Sequence, residues 1–217
     1  MADFRTESQK ACDRLREAIL NGEYPPGTRL PQRKIAARFG STTIVIREAL
    51  RLLENEKLVV IEPRYGAMVR EVTPRVIRDR YIVREALEGM AARLAAINMT
   101  EDHRRRILAV GEECDRVLTS PGIDNHVKAG LHQSFHDLLL ELTNCEELNL
   151  LLQNSYLHSI IISNAFHIDW SAEDPHRHSV LARVLVSGDP NAAETAMREH
   201  VRIGMRMELE SMGGPKE

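Results

Sequence analysis

Apolar residues recur every three or four positions along most of this chain, the spacing that keeps one face of an α-helix dry. Ala11, Leu15, Ala18 and Ile19 mark a first helix, which Asn21-Gly22 ends. Pro25, Pro26 and Gly27 prevent its continuation. Pro31 suits the first position of a short second helix, "PQRKIAARF", which turns Ile35, Ala36 and Phe39 inward and stops at Gly40. The hydroxyls of "STT" can cap a third helix, "IVIREALRLLENE". After Lys57 the residues become β-favouring: "LVVIE", then "PRYG", then "AMVREV" predict a two-stranded hairpin with Gly66 at its tip.

Beyond Thr73-Pro74, a cap and first helical position, everything reads as helix. The first of these helices places Ile77, Val83, Leu87, Met90, Ala91 and Leu94 on one stripe. Thr100 caps the next, which ends at Ser120-Pro121-Gly122. "LHQSFHDLLLEL" and "EELNLLLQNSYLHSIIISNAF" follow, then a polar loop around Trp170 and Asp174-Pro175 before "HRHSVLARVLVS". Gly188 stops that helix and Asp189-Pro190 opens the last. The pattern predicts a mostly α protein. An N-terminal winged helix-turn-helix, three helices plus a β-hairpin wing, occupies residues 1–73, and a C-terminal all-α antiparallel bundle occupies 74–217.

Aromatic residues make up only 4% of the chain, which favours helical packing of aliphatic side chains over an all-β core. No apolar run approaches the roughly 20 residues that span a bilayer, and the polar start lacks a signal-peptide pattern, so a cytoplasmic, nucleoid-associated protein is expected. Cys12, Cys114 and Cys145 are scattered and odd in number, which argues against a disulfide framework. The net charge of −3 divides unevenly: residues 1–73 carry 13 basic against 10 acidic side chains, and residues 74–217 carry 16 against 22. A basic front on an acidic back implies two domains with different partners.

The run "GTRLPQRKIAARFGSTTIVIREALRLLENEKLV" followed by "RYGAMV" resembles the DNA-binding domain of GntR-type transcriptional regulators. The resemblance implies operator binding, with Arg33 and Lys34 on the second helix, Thr43, Arg47 and Arg51 on the third, and Arg64 and Gly66 on the wing as DNA contacts. Three positions depart from the family: Thr43 stands where Arg is usual, Val45 where Pro is, and Lys57 where Gly is. The missing Arg implies an operator read differently from the family's.

Helical spacing puts four of the nine histidines on apolar faces: His132 and His136 one turn apart, His178 ahead of Val180-Leu181, and His200 beyond Ala196-Met197. Burying an unpartnered imidazole costs roughly 1–3 kcal/mol, so four on three helices point to a shared partner. A divalent transition metal satisfies all four, Zn first and Ni next. The plainer alternative is core histidines bonded to carbonyls. His103, His126, His158 and His167 read as surface residues, and His176 competes with His178.

Residues from Pro74 onward resemble the FCD ligand-binding domain of the FadR subfamily, carried by Arg84, Leu87-Glu88, Phe135-His136, Asn144, His178 ahead of Gly188-Asp189, and "MREH" ending at His200. That resemblance implies a homodimer on a palindromic operator and a small carboxylic-acid effector, with Arg84 and Asn144 in its site. Metal-binding members carry Asp where this chain has His132. Arg84 could equally form a structural ion pair with Glu88 at i+4. An enzyme is not expected: "HQSFH" lacks the Glu that an H-E-x-x-H hydrolase uses as base. An all-imidazole site also leaves open a metal sensor whose effector is the cation itself.

Overall fold

The computed structural model describes residues 5–153, 155 and 176–212, divided into two compact units, residues 1–72 and 73–217. The predicted loop around Trp170, Asp174-Pro175, His158 and His167 lie outside the described residues.

In the first unit, α1 (Glu7–Leu20) opens on a capping box: Thr6 accepts from the Gln9 N–H and Gln9 returns the bond. Helix α2 (Gln32–Phe39) starts one residue later than its sequence suggested, because Pro31 is extended (ψ 108) and serves as the cap. Thr42 caps α3 (Thr43–Asn55), whose Ile46, Ala49, Leu50 and Leu53 are buried. The helix ends in a Schellman motif: Leu58 N–H donates to the Leu53 carbonyl, Lys57 N–H donates to that of Glu54, and both leucines are buried. Lys57 there has φ 63, a left-handed conformation that costs a non-glycine residue on the order of 1 kcal/mol. Strands β1 (Val59–Glu62) and β2 (Gly66–Val69) pair antiparallel, Val59 opposite Val69 and Glu62 opposite Gly66. The turn itself is Pro63-Arg64-Tyr65, and Gly66 (φ 87) is the first residue after it rather than the tip. A bidentate contact from Arg16 to Glu56, 2.6 and 2.8 Å, ties α1 to the end of α3.

Among the described residues the second unit has only helices as regular elements: α4 (Pro74–Asn98), α5 (Glu101–Leu118), α6 (Asn125–Leu140), α7 (described over 146–153), α8 (Arg177–Leu185) and α9 (Pro190–Ser211). Thr73, Thr100 and Asp189 cap α4, α5 and α9 with their side chains. Helices α4 and α9 run antiparallel, since Tyr81 meets Glu208 at one end and Arg93 meets Asn191 and Glu194 at the other. The buried face of α4 is rotated from the predicted stripe. Val83 and Met90 are exposed, while Arg84 and Glu88 are buried. The reason is mutual neutralisation: Arg84 Nε donates to Glu88 Oε1 at 2.7 Å, so two polar residues enter the core as a pair. At Gly111 a Cβ would lie 2.9 Å from Ala182 Cβ and 3.0 Å from the His178 carbonyl oxygen, so only glycine lets α5 approach the start of α8 this closely.

Candidate metal centre and DNA-reading surface

The i, i+4 spacing on α6 brings His132 Nε2 and His136 Nε2 to 3.4 Å. Two imidazole nitrogens bound tetrahedrally at about 2.0–2.1 Å from one zinc stand about 3.3–3.4 Å apart, so this separation is the one a shared ion requires. His200 of α9 joins them: one nitrogen from each of the three rings lies within 4.8 Å of the other two. The His178 ring, from the first turn of α8, is 5.1 Å from that of His132 and 5.0 Å from that of His200. Its Nε2 is buried and has no hydrogen-bond partner among the described residues, as a ring awaiting a cation would show. Phe135 walls the group, its ring 5.9 Å from His136 and 5.8 Å from His178. Among the described residues the donor set is all nitrogen and fits a borderline transition cation.

Electrostatics keep the rings of His132, His178 and His200 receptive. Burial lowers the pKa of His132 well below its usual value, helped by His136, His178 and Arg177. Burial does the same for His200, followed by Arg177, and His178 is lowered by burial despite Asp115. Neutral imidazoles keep the lone pairs that coordination needs.

Carboxylates stand behind two of the rings. His136 Nδ1 lies 2.9 Å from Glu88 Oε2, ion-pair distance without hydrogen-bond alignment. Asp115 of α5 faces His178 Nδ1 at 3.2 Å and also accepts the His178 and Ser179 N–H groups at 2.8 and 2.9 Å. It therefore caps α8 from another helix, where His176 has no side-chain cap bond. Burial opposes both charges, yet Arg84 and His136 hold Glu88 at about 2, and the bonds from His178 and Ser179 hold Asp115 at about 2. Asp115 leaves His178 with Nδ1 engaged and Nε2 available, while Glu88 sets a negative charge behind Nδ1 of His136. His200 differs. Arg177 Nε donates to its Nδ1 at 3.2 Å and Nη2 to its carbonyl at 3.1 Å, so the ring proton sits on Nε2, and ligation must displace that proton or that bond.

Asp115, Arg177 and Gly111 were not singled out in the sequence; an acid on the same face as buried Ile107, Gly111 and Leu118 was the signal available for the first. Arg84 lies against Glu88 and over the Tyr81 ring, 4.6 Å to its centroid. Asn144 is exposed in the turn after α6, with φ 52. His176 is exposed at the α8 cap, and His103 completes the capping box of α5.

On the first unit, Arg33 and Lys34 are exposed on α2, Arg47 and Arg51 on α3, and Arg64 (φ 71) in the hairpin turn before Gly66. Arg38 is tied to Glu23 at 2.6 Å, and Arg51 to Glu48 at 3.0 Å. Thr43 is part-buried, and its neighbour Ile44 is 69% exposed. Among the described residues no helix is long and apolar enough to cross a membrane.

Residues 7–69 match the family model for bacterial regulatory proteins of the gntR family, and residues 79–203 match the FCD domain. A protein of Paenarthrobacter nicotinovorans named as a probable D-xylose utilization operon transcriptional repressor is 28% identical over 213 residues, 96% of this chain and 92% of that protein. The gluconate operon transcriptional repressor of Bacillus licheniformis is 31% identical over 140 residues, 64% of this chain and 54% of that one. A GntR transcriptional regulator from Rhodococcus sp. RHA1 shares the fold, with TM-score 0.74 at 21% identity over 96% of this chain and 99% of that one. A winged helix-turn-helix followed by an FCD bundle, matched over most of its length by proteins named as regulators, makes this chain a GntR-family transcriptional regulator with an FCD ligand domain, and not an enzyme.

Proposed function

We propose that the chain is a FadR-subfamily regulator that binds a palindromic operator as a homodimer and responds to a small carboxylic acid at a metal centre. The convergence of imidazoles from α6 and α9, with two Nε2 atoms 3.4 Å apart and the α8 ring of His178 about 5 Å from two of those rings, carries this reading. His132, His136, His178 and His200 would hold the cation, zinc before nickel, which when bound supplies a Lewis-acidic centre for a carboxylate. Arg84 presents the guanidinium that such a carboxylate meets in competition with Glu88, and Asn144 is assigned to the same effector response. Arg33, Lys34, Thr43, Arg47, Arg51, Arg64 and Gly66 form the DNA contacts, which places the protein's work at the chromosome in the cytoplasm. One relative is named for a gluconate operon, and gluconate is itself a carboxylic acid, which supports an acid effector.

Dimerisation is supported by α4, where exposed Val83, Met90 and Ile97 recur at seven-residue intervals beside exposed Ile82. A second reading, with the cation itself as effector, is favoured by a histidine set that no carboxylate joins among the described residues. Titrating operator binding of the zinc-loaded and chelator-treated chain with sugar acids separates the two. The leading reading expects acid to change operator affinity only in the zinc-loaded form, whereas the second expects zinc alone to change it. No effect of either sinks both.

A further inference from the structure

The DNA-reading helix carries an apolar side chain that the fold does not use. Thr42 caps α3 and Ile46 turns into the core, which leaves Ile44 in the first turn on the opposite face, 69% exposed. Arg47 and Arg51 follow at i+3 and i+7 on that exposed face. Arginine at the start of such a helix reads guanine through O6 and N7. Here the first turn offers Thr43, Ile44 and Val45, and Arg51 is drawn towards Glu48 at 3.0 Å. A first turn that is uncharged and presents an exposed aliphatic side chain suits one feature of the major groove, the thymine 5-methyl group, which no other base of the DNA presents there.

We propose that Ile44 is a specificity-determining residue that packs on a thymine methyl in each operator half-site, so that the preference of this turn lies with A·T rather than G·C pairs. The assignment rests on the operator-binding role. The test is chemical. An operator is first selected from random duplexes with the full chain, and each thymidine is then replaced in turn by deoxyuridine, which removes only the methyl. Losing one buried methyl contact should weaken wild-type binding about fourfold per half-site.

Ile44→Ala should bind the thymine operator correspondingly more weakly and be indifferent to the same replacement, while its unfolding midpoint stays unchanged because the side chain supports no core. Ile44→Thr, which keeps a methyl, should retain part of the sensitivity. If no thymidine is sensitive, or if Ile44→Ala remains as sensitive as wild type, the assignment is overturned while operator binding stands. A wild-type chain that enriches no sequence overturns both.

Discussion

Replacing Asp115 by Asn removes one buried charge and one acceptor oxygen without changing side-chain size. In the native chain the carboxylate takes three contacts at 2.8–3.2 Å, two from the first N–H groups of α8 and one from the His178 ring. An amide oxygen cannot replace both carboxylate oxygens, so one N–H is left buried and unpaired. Loss of a cap costs about 1 kcal/mol and a charge-assisted bond about 1.5–3 kcal/mol, so metal-free stability should fall by roughly 1–3 kcal/mol. The ring also loses the anion behind Nδ1, and outer partners of this kind are worth about 10–100-fold in metal affinity. Competition with a chromophoric chelator measures zinc affinity, and far-UV circular dichroism confirms the fold. Glu88→Gln is the comparison: Arg84 already compensates Glu88, so its loss should cost less affinity than that of Asp115. A folded Asp115→Asn chain with wild-type zinc affinity would refute the role assigned to this carboxylate.

Arg47→Ala should weaken operator binding and relax base preference at one position, whereas Lys34→Ala should weaken it uniformly and shallow the salt dependence by about one unit, both read by fluorescence anisotropy. An unchanged footprint for Arg47→Ala counts against its place on the reading helix. In metal-free protein the folded pKa values of His132, His178 and His200 lie below the unfolded value near 6.5. The unfolded chain therefore binds more protons, and stability should be full above about pH 6.5 and fall as pH drops below it. A melting temperature that is flat or rising from pH 7 to pH 5 contradicts this. Met90→Asp should convert a dimer to monomer in light scattering, and persistence of the dimer would move the interface off this face of α4. Lys57→Gly should raise the stability of the first unit by up to about 1 kcal/mol, since its φ of 63 suits glycine; lower stability there would show that the strain is absent.

Local signals carried most of the elements. Caps at Thr42, Thr73, Thr100 and Asp189 stand where side-chain hydroxyls and carboxylates announced them. What failed on α4 was the assumption that apolar residues face inward. Arg84 and Glu88 are buried because they neutralise each other, so Val83 and Met90 are turned outward, and periodicity alone does not distinguish a paired charge from a solvated one. All four imidazoles were expected on one site. His132, His136 and His200 bring one nitrogen each within 4.8 Å of the others, while His178 stands beside them with its ring about 5 Å from two of theirs, because helical spacing fixes which residues share a face but not how deep each ring reaches. Asp115 was not legible: its partners lie 63 and 64 residues away, and only the close approach at Gly111 brings them together.

The proposed metal centre is tested most directly by counting atoms. Elemental analysis of the full chain, purified without chelator or added metal, should find about one divalent transition-metal ion per chain, with His136→Ala folded but largely metal-free. A metal-free wild-type chain that also takes up none from a zinc buffer, or a variant that keeps its full complement, would contradict the account.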